Sequence, residues 1–440
     1  MPPSPLLVIL AGGASSRLWP LSDKSCLKFA GAPLLQRHLD TFARLGLDRA
    51  VIIANPTNQA DIRALTDAWP AGRAEVVVQP DARGMGDALL QIDAYLEREN
   101  DPPVYITQAH DVVDESLHRQ VLEAYRQGEA ASYLAGYQVP SYFPGGYLVV
   151  DASGRITGLI EKPGPGNEPS DLVNIVAHLH TRPRPLLEEI RQAYAGARTT
   201  DDHYEFAMSR QMAGVRYEVV RYDGPWNAIK YPWHVLDVMD YFLSRIEGQR
   251  ISPEAHVAES ALISGNVLIE AGARVFHGAS VVGPAYIGAE SIIGNGALVR
   301  ESMVGAGCAV GHTSEVARSY LADGCQLHRA VVLDSVFDER VNFSAGCITA
   351  NLRWDRGPVP SMVKGERMDT GRDKFGAVIG RDAFIGIQSG TMPGVKIGQR
   401  AVVGPFTNAM RDLPDNSLLY AVQQTHAKPL ADSAGSRGMR

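Results

Sequence analysis

The sequence predicts an α/β protein built from two parts with different periodicities. From the start to about residue 245, short apolar runs such as LLVILA, AVIIAN and VYITQA alternate with amphipathic helical patterns such as LLQRHLDTFARLG. Past residue 251, an aliphatic residue followed by glycine or another small residue recurs about every six positions. The alternation predicts a mostly parallel sheet with helices on both faces, in three Rossmann-like layers. The short repeat predicts a stack of similar coils.

Each segment of the first part, residues 1–245, follows this pattern. The runs AEVVVQ, SYLAGY and GYLVVD are further predicted strands, and ADIRALTDAW and GDALLQIDAYLEREN are further predicted helices. The segment PWHVLDVMDYFLSRIEG predicts a closing helix, because apolar residues recur at helical spacing and a glycine follows.

The second part, residues 251–425, resembles the hexapeptide repeat of a left-handed parallel β-helix. In that fold each six-residue step forms one side of a triangular coil and its aliphatic residue points inward. The pattern breaks between about Val341 and Phe375 and resumes at AVIGRDAFIG. Chains with this repeat commonly associate side by side, so we expect a homotrimer or a multiple of one. Residues 426–440 carry little pattern and are expected to form a disordered tail.

Composition excludes several classes of function. The 440 residues are 45% hydrophobic and 21% charged, with a net charge of −7, which argues against nucleic-acid and anionic-membrane partners. The start, MPPSPLLVILAGG, has no basic region and its apolar run is too short for a bilayer, so we expect a cytoplasmic protein. The cysteines, Cys26, Cys308, Cys325 and Cys347, have no CxxC spacing and are expected to be reduced and packed.

The most informative segment is LVILAGGASSRLWPLSDKSCLK, residues 7–28, where a buried strand runs into a glycine-rich turn. A backbone with little side-chain cover can bring its N–H groups close to a triphosphate. Arg17 and Lys28 then supply positive charge. The alternative is an ordinary glycine corner between a strand and a helix.

This segment resembles the signature of sugar-phosphate nucleotidyltransferases, LAGGxGTRLxPLTxxxPK. Ser15, Ser16 and Leu27 depart from that signature. The segments QPDARGMGDALL, YITQAHDVV, PGGYLVVDASGRITGLIEKP, LVNIVAHLH and WNAIKYPWHVLD follow in the order of the family's other motifs. The resemblance therefore covers the first part. It implies that a sugar 1-phosphate attacks the α-phosphorus of a nucleoside triphosphate and that pyrophosphate leaves.

The resemblance also implies roles for individual residues. Asp111 would hold Mg²⁺, a hard cation that prefers oxygen ligands. The alternative for Asp111 is a cap at a helix start, and for Lys162 a solvated loop charge. The implied nucleotide-binding residues are Leu10, Ala11, Gly12, Gly13, Gln79 and Gly84, and the implied phosphate ligands are Arg17 and Lys28. The implied sugar-binding residues are Gly146, Glu161 and Asn174, and Lys162 would bind the phosphate of the sugar.

Three departures bear on this chemistry. The family usually has a second metal-binding aspartate in a WxDxG motif, where this chain has Ala228, which cannot ligate a metal. Lys230 replaces a glycine of that motif, and its ammonium could substitute for a missing cation; the alternative is an exposed charge at a turn. Met85 replaces a threonine and offers no hydroxyl to a base. We expect slow or selective turnover.

The second part carries a further candidate site. Residues 327–355 and 370–380 resemble the β-helix of archaeal-type two-domain nucleotidyltransferases that also acetylate amino-sugar phosphates. There a histidine acts as the base toward an amine attacking acetyl-CoA. His328 matches that histidine, Asn351 an acceptor-binding asparagine and Lys374 a loop lysine, whereas Val331 replaces a tyrosine. A histidine in a β-helix wall can also be purely structural.

The leading hypothesis is a nucleotide-sugar pyrophosphorylase that binds a nucleoside triphosphate and a sugar 1-phosphate and depends on Mg²⁺. One alternative is an acetyltransferase that works through the β-helix with acetyl-CoA. Another is a non-catalytic regulatory or scaffold paralogue that binds a sugar nucleotide without turnover.

Overall fold

The computed structural model describes residues 2–21, 23–196 and 202–428. Its first part is an α/β domain around a nine-stranded sheet. The strands are β1 (Leu6–Leu10), β2 (Lys28–Phe29), β3 (Ala32–Pro33), β4 (Arg49–Ala54), β5 (Arg73–Val78), β6 (Val104–Gln108), β7 (Asp111–Val113), β8 (Ser132–Gln138), β9 (Gly146–Val150), β10 (Arg155–Glu161), β11 (Leu172–His180), β12 (Tyr217–Tyr222) and β13 (Trp226–Ala228). The helices are α1 (Leu34–Arg44), α2 (Gln59–Asp67), α3 (Met85–Leu90), α4 (Asp93–Arg98), α5 (Glu115–Gln127), α6 (Pro183–Ala195), α7 (His203–Met212) and α8 (His234–Leu243).

The main sheet has the order β5-β4-β1-β6-β11-β8-β12-β10-β9. The neighbours β5, β4, β1 and β6 are parallel, as predicted. The prediction of a mostly parallel sheet is wrong for the other half, which is mixed: β11 runs antiparallel to both β6 and β8, whereas β8 and β12 are parallel. The hairpin of β9 and β10 is also antiparallel. A hairpin needs no crossover helix, and residues 151–154 between its strands are too few to form one.

Helices cover both faces of the sheet, which confirms the three layers. Phe42 of α1 and Val121 of α5 contribute to the apolar core on one face. Leu89 of α3 and Ile190 of α6 contribute to the core on the other face. The predicted strands are all present, and the predicted closing helix is α8. The segment GDALLQIDAYLEREN forms two helices, α3 and α4, instead of one.

The second part consists of three parallel sheets that form the sides of a coil, consistent with the predicted left-handed β-helix. Side one contains Gln249–Ile251, Val267–Ile269, Ala285–Ile287, Met303–Val304, Tyr320–Leu321, Val336–Phe337, Val378–Ile379 and Lys396–Ile397. Side two contains His256–Val257, Arg274–Val275, Ile292–Ile293, Ala309–Val310, Gln326–Leu327, Asn342–Phe343, Phe384–Ile385, Val402–Val403 and Leu418–Leu419. Side three contains Leu262–Ser264, Ser280–Val282, Leu298–Arg300, Glu315–Ala317, Val331–Leu333, Ile348–Thr349, Gly390–Thr391 and Asn408–Ala409.

The interruption of the coil begins later than the sequence predicts. Asn342–Phe343 and Ile348–Thr349 still pair in register with the preceding coil. The chain then leaves the coil and forms the hairpin Pro360–Val363 and Glu366–Asp369. The repeat was missed here because Phe343, Cys347 and Thr349 fill inward positions that are usually aliphatic.

Side one of the β-helix packs against the first part. Tyr320 and Val336 share one apolar cluster with Phe29 and with Trp233, next to α8. Arg372, in the segment that leaves the coil, forms an ion pair with Asp237 of α8. The first part therefore covers one of the three sides.

Three observations complete the fold. The cysteines are unpaired, as predicted, and three of them are buried. None of the helices in the described part of the chain combines the length and the apolar character that a membrane crossing requires. Most of the predicted tail, residues 429–440, lies outside the described residues.

Candidate active site

A cleft of about 450 Å³ opens at the carboxyl ends of β1 and β6. In a sheet of this kind, ligands bind at that edge. The glycine-rich turn, the segment before α3 and the end of β6 converge there. Its lining residues are Leu10, Ala11, Gly12, Gly13, Ala14, Ser15, Ser16, Arg17, Leu18, Lys24, Gln79, Ala82, Gly84, Met85, Ala88, Gln108, His110, Ile229 and Lys230.

The turn keeps the backbone shape that its glycines suggest. Ser15, at the position of the signature's third glycine, has a φ of 48°. That is the left-handed region, which a serine occupies at a cost of about 1–2 kcal/mol. The backbone N–H of Leu18 donates to the Ser15 carbonyl at 2.8 Å and closes the turn. The substitution at Ser15 therefore leaves the phosphate-loop geometry in place.

Gln79 is oriented by its neighbours. Its Nε2 donates to Asp87 Oδ2 at 2.8 Å and to the Gly84 carbonyl at 3.1 Å. Its Oε1 consequently faces the glycine turn, where a Cβ on Gly12 would lie 2.8 Å away. Gly84 has a φ of 94°, which favours glycine. The amide of Gln79 thus offers an acceptor beside the turn.

Met85, which replaces the family's threonine, has a defined polar contact. Gln108 Nε2 donates to the Met85 sulfur at 2.8 Å. Both residues line the cleft. The hydroxyl expected from the family pattern is therefore replaced by a thioether that holds Gln108, a residue the sequence analysis did not single out.

Cationic side chains converge on the cleft. Arg17 lines it with its guanidinium 5.8 Å from the ring centre of Tyr231. Lys24 and Lys230 are half-buried and line it too. Burial lowers the pKa of Lys24 to about 8, although Asp111 and Asp23 act in the opposite direction. Burial also lowers the pKa of Lys230, again opposed by Asp111.

His110 lies among these cations and was not predicted. Burial, together with the positive charges of Lys24 and Lys230, holds its pKa well below the usual value. The imidazole is therefore neutral at pH 7. A neutral ring beside buried ammonium groups avoids adding a further positive charge.

Lys28 does not line the cleft, in contrast to the expectation from the signature. Its Nζ lies 2.6 Å from Asp323 of the β-helix, and Tyr320 donates to its backbone carbonyl at 2.8 Å. The reason is local: Leu21 and Leu27 are buried, so the intervening residues turn and Lys28 emerges toward side one. Lys24 lies in the cleft instead. The only sequence signal for Lys24 was its place between these two apolar anchors.

Asp111 begins β7, directly after His110. It is 6% exposed, and its partner in the two-stranded sheet of β7 and β13 is Ala228. Burial raises the pKa of Asp111 to about 6, even though Lys230 and Lys24 act to lower it. The alternative of a helix cap does not apply, because Asp114 caps α5 by accepting from Ser116 N at 3.0 Å.

The residues around Asp111 do not fit a divalent cation. Ala228 directly opposite has no donor atom, and the ammonium groups of Lys24 and Lys230 are close enough to affect the pKa of Asp111. This donor set suits an anionic ligand.

The predicted sugar-binding residues meet at the strands beside the cleft. Gly146 and Glu161 are directly paired on β9 and β10. Asn174 lies on β11, next to the residue that pairs with β9, and its Oδ1 contacts His178 Nε2 at 2.8 Å. Lys162 follows Glu161, with its Nζ 3.3 Å from the Glu161 carboxylate. Both charges act on the pKa of Lys230, which lines the cleft.

The predicted residues of the β-helix are placed apart within one chain. His328 is exposed and follows Gln326–Leu327, at the corner between sides two and three. Asn351 follows Ile348–Thr349, at the opposite edge of side three. Its Nδ2 donates to Asp334 Oδ2 at 2.5 Å, and Asp334 is paired with Arg318. Lys374 is exposed, in the segment that leaves the coil.

Comparison with known proteins agrees with this architecture. Residues 6–183 match the model of the nucleotidyl transferase family. The chain is 28% identical over 423 residues to the bifunctional protein GlmU of Methanococcus vannielii, covering 94% of this chain and 97% of that protein. It is 29% identical over 413 residues to the bifunctional sugar-1-phosphate nucleotidylyltransferase/acetyltransferase of Sulfurisphaera tokodaii, covering 92% and 97%. The similarity to the nucleotidyl transferase family therefore lies in the amino-terminal part of this chain.

Proposed function

We propose that this protein transfers the nucleotidyl group of a nucleoside triphosphate to a sugar 1-phosphate and releases pyrophosphate. The observation that carries the proposal is the convergence of the glycine-rich turn with Arg17, Lys24 and Lys230 in one cleft. Backbone N–H groups and several cations around one cleft suit a polyphosphate. The names of the relatives support the same activity.

The reaction needs alignment more than covalent help. A phosphate oxygen of the sugar 1-phosphate forms a bond to the α-phosphorus, and the bond from the α-phosphorus to the bridging oxygen breaks. The electron pair of that bond leaves with pyrophosphate. The chain contributes by holding two anions in line and by stabilising negative charge that develops on the phosphoryl oxygens.

The nucleotide is assigned to the glycine-turn side of the cleft. Its base lies at Gln79, whose fixed Oε1 accepts a hydrogen bond, and its phosphates lie over the turn. Arg17 and Lys24 bind the phosphates that depart as pyrophosphate. Lys24 takes this role in place of Lys28, because Lys24 lines the cleft and Lys28 is paired with Asp323.

The sugar 1-phosphate is assigned to the strands β9, β10 and β11. Gly146, Glu161 and Asn174 bind the sugar, and Lys162 binds its phosphate. Lys230 borders both groups of residues, since it lines the cleft and its pKa responds to Glu161 and Lys162. Lys230 is thereby suited to the α-phosphate and the attacking phosphate.

The direct test is pyrophosphate release from a panel of nucleoside triphosphates and sugar 1-phosphates. We expect release from at least one pair that depends on both substrates and that Arg17→Ala greatly reduces. Arg17 is exposed, so the variant should fold. If the protein binds nucleotide and releases no pyrophosphate with any acceptor, it is a binding protein and the proposal is wrong.

A second candidate function is acetyl transfer to an amino-sugar 1-phosphate from acetyl-CoA. The specific observation in its favour is His328, an exposed imidazole at a corner of the β-helix. A relative named as a nucleotidylyltransferase/acetyltransferase covers 92% of this chain. A base must reach its amine, which exposure allows. Free coenzyme A produced from acetyl-CoA and glucosamine or galactosamine 1-phosphate, and lost in His328→Ala, would establish this activity.

We also propose that the β-helix associates into a homotrimer through sides two and three. The exposed side chains include Ile348, Phe384 and Leu418, which lie on those two sides. Burying such side chains between copies is favourable. Sedimentation as a monomer would contradict this assembly.

A further inference from the structure

We propose that Lys24 and Lys230 take over the electrostatic role of a divalent cation, so that this cleft binds a nucleoside triphosphate without metal. The inference rests on the proposed function for the identity of the ligand. It concerns how the triphosphate is held, and it can fail or succeed independently of turnover.

The first step is the position of Ala228. In the β7–β13 pair, Ala228 is the direct partner of Asp111. Side chains of directly opposed residues in an antiparallel pair lie on the same face, with Cβ atoms about 4.5–5.5 Å apart. A carboxylate at 228 would therefore have shared an ion with Asp111. A methyl group there cannot.

The second step is the position of Lys230. Ile229 N donates to the His110 carbonyl at 3.0 Å, so the residues after β13 stay beside the start of β7. Lys230 lines the cleft from this position, and its ammonium lies 5.0 Å from the ring centre of Phe143. Its charge acts on Asp111. Compared with the family's motif, this chain lacks one carboxylate at Ala228 and gains one ammonium at Lys230. Both changes make the local charge more positive, as a bound divalent cation would.

The third step is Lys24, a second ammonium whose charge interacts with Asp111. Lys24 also lines the cleft. Asp23, its neighbour in sequence, is occupied elsewhere: its carboxylate accepts from Ser25 N and from Asn58 Nδ2, both at 2.8 Å. Arg17, Lys24 and Lys230 still outnumber Asp111 and Asp23, so the charges of these five groups sum to a net positive charge before any ligand binds.

Partly buried cations interact strongly with phosphate, because local water is limited and the dielectric constant is low. A divalent cation entering this cleft would meet repulsion from both lysines. A triphosphate entering without metal would meet the ammonium groups of Lys24 and Lys230, which line the cleft. The cleft is therefore complementary to the free nucleotide.

The test is calorimetric titration of the nucleoside triphosphate, with excess EDTA and with excess Mg²⁺. We expect the affinity in EDTA to equal or exceed that in Mg²⁺. Lys230→Gly should weaken binding in EDTA by about ten- to a hundredfold, the loss expected for a charge-assisted hydrogen bond. Lys364→Gly is the matched control, since Lys364 is exposed at the turn of the 360–369 hairpin with a φ of 51°. It should bind like the wild type.

Binding that disappears in EDTA and returns with Mg²⁺ would overturn the inference, as would an unchanged affinity of Lys230→Gly in EDTA. If Lys230→Gly does not fold, the comparison of EDTA with Mg²⁺ in the wild-type protein decides. Pyrophosphate release is measured in parallel. Metal-free binding without release supports this inference and contradicts nucleotidyl transfer. Pyrophosphate release with Mg²⁺, together with no nucleotide binding in EDTA, supports nucleotidyl transfer and contradicts this inference.

Discussion

Asp111 and Ala228 are directly paired across the short sheet of β7 and β13, so one residue of a potential pair of carboxylates is a methyl group. Lys230, two residues beyond Ala228, then places an ammonium beside Asp111. Substitutions at Ala228 and Lys230 should therefore be able to make nucleotide binding depend on a metal ion.

The double variant Ala228→Asp with Lys230→Gly should gain a divalent-ion site. Two carboxylates on adjacent strands can hold an ion together with phosphate oxygens, and the repelling ammonium is gone. Electron paramagnetic resonance of added Mn²⁺, with nucleotide present, should show protein-bound ion in the double variant and, with the wild type, mainly ion held by nucleotide in solution. Lys230→Gly alone is the control. Equal Mn²⁺ binding by the wild type would refute this account of the site.

Substitutions of Lys24 and of Lys28 should affect different properties, the first triphosphate affinity and the second stability. Lys24→Met should lower triphosphate affinity about tenfold or more, the cost of one charge-assisted contact. Lys28→Met should change affinity little. It should lower the free energy of unfolding by about 0.2–1 kcal/mol, because the Lys28–Asp323 pair is partly exposed. Titration calorimetry and a double-mutant cycle with Asp323→Asn measure the two effects. A larger loss of affinity in Lys28→Met would restore the signature's assignment.

Gly12 and Gly13 provide a matched pair of substitutions. A Cβ on Gly12 would lie 2.8 Å from Gln79 Oε1, whereas a Cβ on Gly13 would have nothing within 4 Å. Gly12→Ala should therefore displace the Gln79 amide and cost about tenfold in affinity for the preferred nucleotide. Gly13→Ala should cost much less. Competition between nucleoside triphosphates measures the loss, and equal behaviour of the two variants would argue against Gln79 as a base ligand.

The cap of α5 should give a pH-dependent contribution to stability. Partial burial alone would raise the pKa of Asp114, but hydrogen bonds from Ser116 and Arg245 outweigh it and lower the pKa to about 2. The carboxylate therefore stabilises the fold above its usual pKa of 3.8, and this contribution is lost as the pH falls toward 2. Asp114→Ala should cost about 1 kcal/mol at pH 7. Denaturant titrations should show the difference narrowing below pH 4; a constant difference would contradict the assignment.

Much of the fold was predictable because its signals are local. The strands β1, β4 and β6 are rich in buried apolar residues, and the coils of the β-helix repeat aliphatic residues that stack inward. The mixed half of the sheet was not predicted, because strand direction depends on pairing between distant segments such as β11 and β6. The coil at Asn342–Thr349 was missed because Phe343 and Cys347 replace aliphatic residues.

The candidate site was predictable where the backbone defines it. Gly12, Gly84 and Gln79 lie together, as the motifs indicate. Lys24 was missed, since which lysine enters the cleft depends on how Leu21 and Leu27 anchor the intervening turn. The pairing of Lys28 with Asp323 joins two parts of the chain, and no local pattern reports such a contact.

The transfer of label from the α-phosphate tests the central claim most directly. Nucleoside triphosphate labelled at the α-phosphate, and in a parallel reaction at the γ-phosphate, is incubated with sugar 1-phosphate and the wild-type protein, and the products are separated. We expect α-label in a nucleotide sugar, γ-label in pyrophosphate, and loss of both in Arg17→Ala. Label that remains in the triphosphate with every acceptor, or that appears as free nucleoside monophosphate without any nucleotide sugar, would contradict it.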